Sequence, residues 1–130
     1  GPLCGAATWC LNDTGLSGAM PFQWPRLDLS AAPVTGDPID LILGNDSGQL
    51  APAMLFVGLE PAHLPGLGGN LWLVPLLQLG LTLPPGEITA PLVLDGALCG
   101  VPLLAQLWHA DAAAVAGVAM SQQLQIVPGD

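Results

Sequence analysis

Leucine occupies every odd position from residue 77 to residue 83, with Gln78, Gly80 and Thr82 between the leucines. Because side chains alternate between the two faces of a β-strand, this period of two predicts a strand with one buried face. A weaker alternation over residues 26–30 predicts a second half-buried strand. The unbroken apolar run at residues 54–57 is typical of a strand in the core.

Turn-forming residues divide the chain into short apolar runs. The 17 glycines and 14 prolines are spread along the sequence, and the runs between them are rich in Leu, Val and Ile. Such runs suit strands and leave little room for helices. We predict about eight strands, a number typical of sandwiches, at residues 26–30, 40–43, 54–57, 71–74, 77–83, 88–94, 101–109 and 122–127.

This spacing of strands and turns predicts an all-β fold, an antiparallel two-sheet β-sandwich of jelly-roll or Ig-like type. The chain has 130 residues, the length of one domain. We assign residues 25–130 to a single sandwich domain. Residues 1–24 show no sustained period and are interpreted as an irregular N-terminal arm, and residues 61–69 as an irregular stretch.

The chain has few charged residues, and nearly all of them are acidic. Charged residues make up 8% of the chain, and ten Asp and Glu face a single basic residue, Arg26, giving a formal charge of −9. Nucleic acids and anionic membranes both attract Lys and Arg, so neither is predicted to be a partner. A mean hydropathy of +0.61 argues against a disordered chain. Gly and Pro interrupt every apolar stretch long enough for a transmembrane segment.

Three cysteines, Cys4, Cys10 and Cys99, allow one internal disulfide and leave one thiol over. We expect a local Cys4–Cys10 bond of the kind found in secreted proteins. A long-range bond to Cys99 and an intermolecular bond are the open alternatives. A thiolate zinc site is not expected, because neither His63 nor His109 lies near another Cys or His in the sequence.

Calcium is the metal that the sequence favours, because carboxylates and turn carbonyls supply hard oxygen ligands. The candidate ligands are Asn45 and Asp46, in the turn at residues 44–48. The alternative is an Asx-turn, which explains both residues without an ion. No certain cofactor is predicted.

The sequence predicts no enzymatic activity. His109, Asp111 and Ser121 could form a Ser-His-Asp set, but no nucleophile-elbow sequence surrounds Ser121. Glu60 and Glu87 are the only glutamates, and most aspartates fall in turns, so a carboxylate pair for glycoside hydrolysis is not expected.

Residues 33–130 carry a series of small-residue and apolar signatures in a characteristic order. They include VTGDPIDL at 34–41, AMLFVGL at 53–59, LGGNL at 67–71, LCGVPLLAQ at 98–106 and AMSQQL at 119–124. In order and spacing this part resembles a β-rich C-terminal module of secreted proteins from planctomycetes and related bacteria. The resemblance implies a secreted, non-catalytic appendage and brings no catalytic residues. It departs from that module at residues 69–72, where the module tends to have a cysteine, so it leaves the disulfide pairing open.

Eleven charged residues cannot cover the surface of a small domain, so part of the outside must be apolar and in contact with a neighbour. We therefore predict an extracellular structural subunit that assembles with copies of itself into a filament or surface layer. In this hypothesis the N-terminal arm pairs with a strand edge of the next subunit, through Trp9, Met20, Phe22 and Trp24. The alternative is an accessory module of a larger secreted protein that binds glycan or a cell-surface protein and depends on calcium.

Overall fold

The computed structural model describes residues 4–18 and 24–130. This part of the chain contains no α-helix and is built from strands, with one short 3-10 turn at Gly96–Leu98. All pairings between the strands are antiparallel, which confirms the predicted antiparallel all-β class. The strands are β1 Thr8–Asn12, β2 Leu27–Leu29, β3 Pro38–Asn45, β4 Ala51–Gly58, β5 Pro61–Gly66, β6 Gly69–Leu73, β7 Leu77–Leu83, β8 Gly86–Val93, β9 Leu103–Ala110, β10 Val118–Met120 and β11 Gln123–Val127.

The strands form three sheets. The large sheet has the order β1-β11-β9-β4-β7, with β10 also paired to β9, and the small sheet has the order β2-β3-β8. A separate hairpin consists of β5 and β6. The main core lies between the large and small sheets, because one buried cluster joins leucines and isoleucines of both, including Leu29, Leu43, Leu55, Leu107 and Leu124.

The chain passes from the large sheet to the small sheet between β7 and β8. Only Pro84 and Pro85 separate these strands, yet β7 pairs with β4 and β8 pairs with β3. Neither proline has an N–H to donate, and Gly86 takes a φ of 92°, which favours glycine. After this short link, β8 does not pair with β4 or β7 in the large sheet but with β3 in the small sheet.

Eight of the eleven strands coincide with the predicted apolar runs, and three were missed. β1 lies in the segment predicted to be an irregular arm; that prediction is wrong over Thr8–Asn12, which pair with β11 in the large sheet. β5 occupies a stretch read as irregular because of Pro61 and Pro65, and it pairs only with β6, with a register shift after Pro61. β10 has three residues, too few to show a period.

The disulfide joins Cys4 to Cys99, so the expected Cys4–Cys10 bond is wrong and the long-range alternative is present. The pairing follows from the topology. β1 runs antiparallel to β11, which places the start of the chain beside its end: the Cys4 N–H donates to Asp130. The Gly100 N–H donates to the Pro128 carbonyl, which brings the Cys99 loop to the same place. Cys10 lies within β1 and is a free, exposed thiol.

Candidate functional site

An apolar groove of about 470 Å3 lies between the large and small sheets. Four strands supply most of its walls, two from each sheet: β4 and β7 on one side, β3 and β8 on the other. Thr82 is the only polar residue in the lining. The groove is lined chiefly by Leu41, Leu43, Leu55, Val57, Leu77, Leu79, Leu81, Leu83, Ile88, Ala90 and Leu92.

One row of leucines across the large sheet shows how the groove opens. Leu107, Leu55 and Leu79 are neighbours in the register of β9, β4 and β7. Their exposed fractions are 0%, 7% and 42%, so the row leaves the core as it approaches the outer strand. Leu77 is 50% exposed, whereas Leu83, at the Pro84-Pro85 link, is buried. The predicted strand at residues 77–83 is confirmed, but its leucine face is buried only at one end.

Two unpaired strand edges flank this groove. β7 is the last strand of the large sheet and β8 is the last strand of the small sheet. Among residues 4–18 and 24–130, no strand pairs with the outer side of either one. An extended peptide placed here would find backbone hydrogen-bonding groups at the edges and an apolar surface for every second side chain.

The groove walls carry no charge, although the chain as a whole is strongly acidic. No Asp, Glu, Lys or Arg occurs at residues 61–86 or 88–94, which include all of β7 and all of β8 after its second residue. The one acidic residue between them, Glu87, is paired with Arg26 at 3.0 Å. A second acidic molecule would therefore meet no acidic side chain in the lining of the groove.

On the side opposite the groove, a hydrogen bond joins β1 of the large sheet to β2 of the small sheet; we call this the tied side. The Trp9 Nε1–H donates to the Asp28 carboxylate at 3.1 Å, joining the first strand of the large sheet to the first strand of the small sheet. Trp9 and Leu11 are nevertheless 38% and 40% exposed. Trp24, which was also predicted to take part in assembly, is half-buried beside Gly15. Met20 and Phe22, also predicted for assembly, lie outside the described residues.

The two predicted calcium ligands, Asn45 and Asp46, make different contacts. Asn45 is buried, and its side-chain N–H groups donate to the carbonyls of Gln49, Leu83 and Pro84. Its Oδ1 accepts from the backbone and hydroxyl of Ser47, as in the Asx-turn alternative. The Asn45 side chain therefore stabilises the link between β7 and β8, and its Oδ1 is occupied by the two hydrogen bonds from Ser47. Asp46 turns toward His109 instead.

The residues considered for catalysis are brought together only in part. His109 is buried next to Asp46 and Asp111. Ser121 Oγ accepts the Leu107 N–H and donates to the Gln122 carbonyl, both at 2.8 Å, so its hydroxyl is engaged with the backbone.

A smaller pocket of about 230 Å3 combines an aromatic ring with polar groups. It lies at the end of β3 and the start of β8, close to the Arg26–Glu87 ion pair. Its side chains come from Trp24, Arg26, Asn45, Asp46 and Glu87.

Sequence reasoning missed the groove, because the sequence carries only part of the signal for it. The alternating leucines of β7 and the uncharged β8 follow each other across a two-residue link and show that two apolar strands are neighbours in the chain. That these strands end two different sheets depends on long-range pairing, which the sequence does not show.

No protein-family model, no curated protein and no solved structure matches this chain. The resemblance to the planctomycete module accordingly stays a prediction. In the part of the chain that the structure describes, there is no helix with the length and apolar character needed to cross a membrane.

Proposed function

We propose that the chain is a non-enzymatic, extracellular structural subunit that assembles with copies of itself by strand addition at the groove. The observation that carries the proposal is the uncharged apolar groove between two unpaired edge strands, β7 and β8. We include in the proposal that the two sheets form a β-sandwich of jelly-roll or Ig-like type, open along this one side.

The occupant that fits is the β1 side of a second copy. β1 is the other terminal strand of the large sheet, so pairing β1 of one subunit with β7 of the next would continue that sheet. Trp9 points toward the small sheet, because it bonds to Asp28 of β2, and Leu11 lies on the same face two residues later. In a continued sheet both side chains would lie beside Leu77 and Leu79 and fill the groove.

The distribution of charge supports the groove as the place where a second copy binds. Two chains of formal charge −9 repel each other, and the repulsion is smallest where the contact surface is uncharged. The contact is heterologous, because the β1 side of one copy meets the β7 side of another. A heterologous contact that does not close into a ring produces an open filament.

Two matched substitutions test this arrangement. Leu79→Glu places a charge in the groove, and Leu11→Glu places one on the β1 side; the two leucines are exposed to nearly the same extent. Light scattering should give a mass well above 13.2 kDa for the unmodified chain and a monomer for each variant. Because each variant keeps one intact side, a mixture of the two should form a one-to-one dimer and stop there.

Leu59→Glu is the control, since Leu59 is 48% exposed and lies outside the groove lining. It should assemble like the unmodified chain. A monomeric unmodified chain at high concentration, or a Leu79→Glu variant that assembles normally, would contradict the proposal.

The second candidate function is an accessory glycan- or surface-binding module of a larger secreted protein. The pocket at Trp24 favours it, because an aromatic ring beside carboxylate, amide and guanidinium groups suits a sugar. A monomeric chain whose Trp fluorescence changes on adding oligosaccharides, and loses that response in Trp24→Ala, would support this function. Repeating the titration with a calcium chelator tests the predicted calcium dependence.

A further inference from the structure

Three side chains from two distant parts of the sequence form a cluster at one end of the large sheet. Asp46 follows β3, His109 lies in β9, and Asp111 follows β9. His109 Nε2 is 3.0 Å from Asp46 Oδ1. One ligand atom from each of the three residues lies within 4.8 Å of the others.

Asp111 has a buried oxygen without a hydrogen-bond partner in the described part of the chain. The residue is 5% exposed, and its Oδ1 accepts the Ala113 N–H at 3.0 Å. Its Oδ2 has no hydrogen-bond donor among the described residues. Gly18 packs against this oxygen so closely that a methyl group there would overlap it. A buried carboxylate oxygen without a partner is costly, so its environment calls for a cation or a donor.

The two nitrogens of His109 have an arrangement that suits a metal ligand. Nδ1 lies 3.0 Å from the Ala110 carbonyl, which can only accept, so Nδ1 carries a hydrogen and donates it. Nε2 is the ring nitrogen that faces the Asp46 carboxylate, and a metal ion could take the place of a hydrogen between these two groups. Metal-binding histidines commonly donate their second ring N–H to a backbone carbonyl in this way. A cation bound by Nε2 and the two carboxylates would give the buried Asp111 carboxylate the counter-charge that the described residues do not supply.

We propose that Asp46, His109 and Asp111 bind a divalent d-block cation, of which zinc is the representative. One imidazole and two carboxylates match zinc, which takes four ligands, and leave the fourth position to water. Calcium is a poorer fit because it requires six to eight oxygen ligands. Asp111 also lines a pocket of about 490 Å3 together with Ala112 and Ala113. This site is independent of the assembly groove.

The test uses the full chain carrying Cys10→Ser, which removes the free exposed thiol as a competing ligand. Titration with zinc chloride, followed by calorimetry and by the shift in thermal midpoint, should give one zinc per chain. Asp46→Asn and Asp111→Asn should each weaken zinc binding at least 10-fold and reduce the shift. Calcium chloride should produce a much smaller shift than zinc at equal concentration.

Asp46→Asn keeps the test decisive even if Asp111→Asn does not fold, because the Asp46 side chain is 31% exposed. Two controls address the other groups that could hold zinc. His63→Gln removes the second histidine, and Asp130→Asn removes the carboxylate beside the disulfide. Both should bind zinc like the parent chain. Absence of zinc binding, binding that survives Asp46→Asn unchanged, or loss of binding in either control would overturn the proposal.

Discussion

Trp9 and Asp28 join the two sheets on one side of the molecule, through the indole N–H and a carboxylate oxygen 3.1 Å apart. The strands that carry them, β1 and β2, are the first members of their sheets. The corresponding last members, β7 and β8, leave an apolar groove between them. The molecule therefore has one tied side and one open side, and the proposed assembly places the tied side of one subunit against the open side of another.

Trp9→Phe should destabilise the monomer slightly, because it removes the indole donor and keeps an aromatic ring. The hydrogen bond is partly exposed, so we expect a coupling energy of about 1 kcal/mol between Trp9→Phe and Asp28→Ala. The measurement is a double-mutant cycle by urea unfolding. The cycle is needed because Asp28 also accepts the Leu29 N–H and lies near Arg26. Additive effects of the two substitutions would mean that the bond does not hold the sheets together.

The leucine alternation of β7 shows what a local pattern can predict. It correctly predicts the strand, because the period of two is a property of the segment alone. It cannot predict how deeply that face is buried, since burial depends on what lies opposite. Both Leu83 and Leu77 line the groove, but Leu83 is buried next to the β7–β8 link, whereas Leu77 is half exposed at the other end of the strand.

β1 and the disulfide were missed for a related reason. Residues 8–12 have no clear period, and their extended conformation is stabilised by pairing with β11 at the far end of the chain. The same pairing brings Cys4 to Cys99, 95 residues away. The cluster at His109 has the same character, because Asp46 is 63 residues distant in sequence. Long-range strand pairing determines β1, the disulfide and the cluster at His109, and composition and spacing carry little information about such pairing.

Cys99→Ser should lower the free energy of unfolding by about 2–5 kcal/mol, because the disulfide closes a loop of most of the chain and restricts the unfolded state. Cys10→Ser should change it by about 0.5 kcal/mol or less, as expected for an exposed position. Chemical denaturation measures both values.

Alkylation of the unfolded, unreduced chain checks the pairing directly. One thiol should react, and peptide mapping should place it at Cys10. Label at Cys4 or Cys99, or equal destabilisation by the two serine substitutions, would contradict the observed bond.

Asn45→Asp should be strongly destabilising, although the two side chains have almost the same shape. The buried amide donates to three carbonyls, including those of Leu83 and Pro84 at the β7–β8 link. A carboxylate has no hydrogen to donate and would place its charge against these oxygens, so we expect a loss of about 3 kcal/mol or more. Thermal unfolding measures the loss.

Asn12→Asp is the matched control for this substitution. The Asn12 amide donates to the side-chain oxygens of Gln123 and Gln125 at a less buried position. The Gln125 amide can turn over to present its N–H, whereas Gln123 is held by the bond from its Nε2 to the Trp72 carbonyl. Asn12→Asp should therefore lower the stability much less than Asn45→Asp does. Equal costs at the two positions would show that the Asn45 bonds to the β7–β8 link have no special weight.

Gln106→Leu should destabilise the chain by about 3 kcal/mol, because it leaves one buried and two partly buried backbone groups without partners. Gln106 is fully buried; its Oε1 accepts the Trp72 N–H, and its Nε2 donates to the carbonyls of Asn70 and Ser121. It thereby holds β6 onto the large sheet. Gln78→Leu is the control, since Gln78 and Gln106 flank Phe56 in the same register row, but Gln78 is exposed. Urea unfolding should show little change for Gln78→Leu. A similarly small change for Gln106→Leu would mean that the β5–β6 hairpin is held by its other contacts, which include the bond from Gln123 to the Trp72 carbonyl.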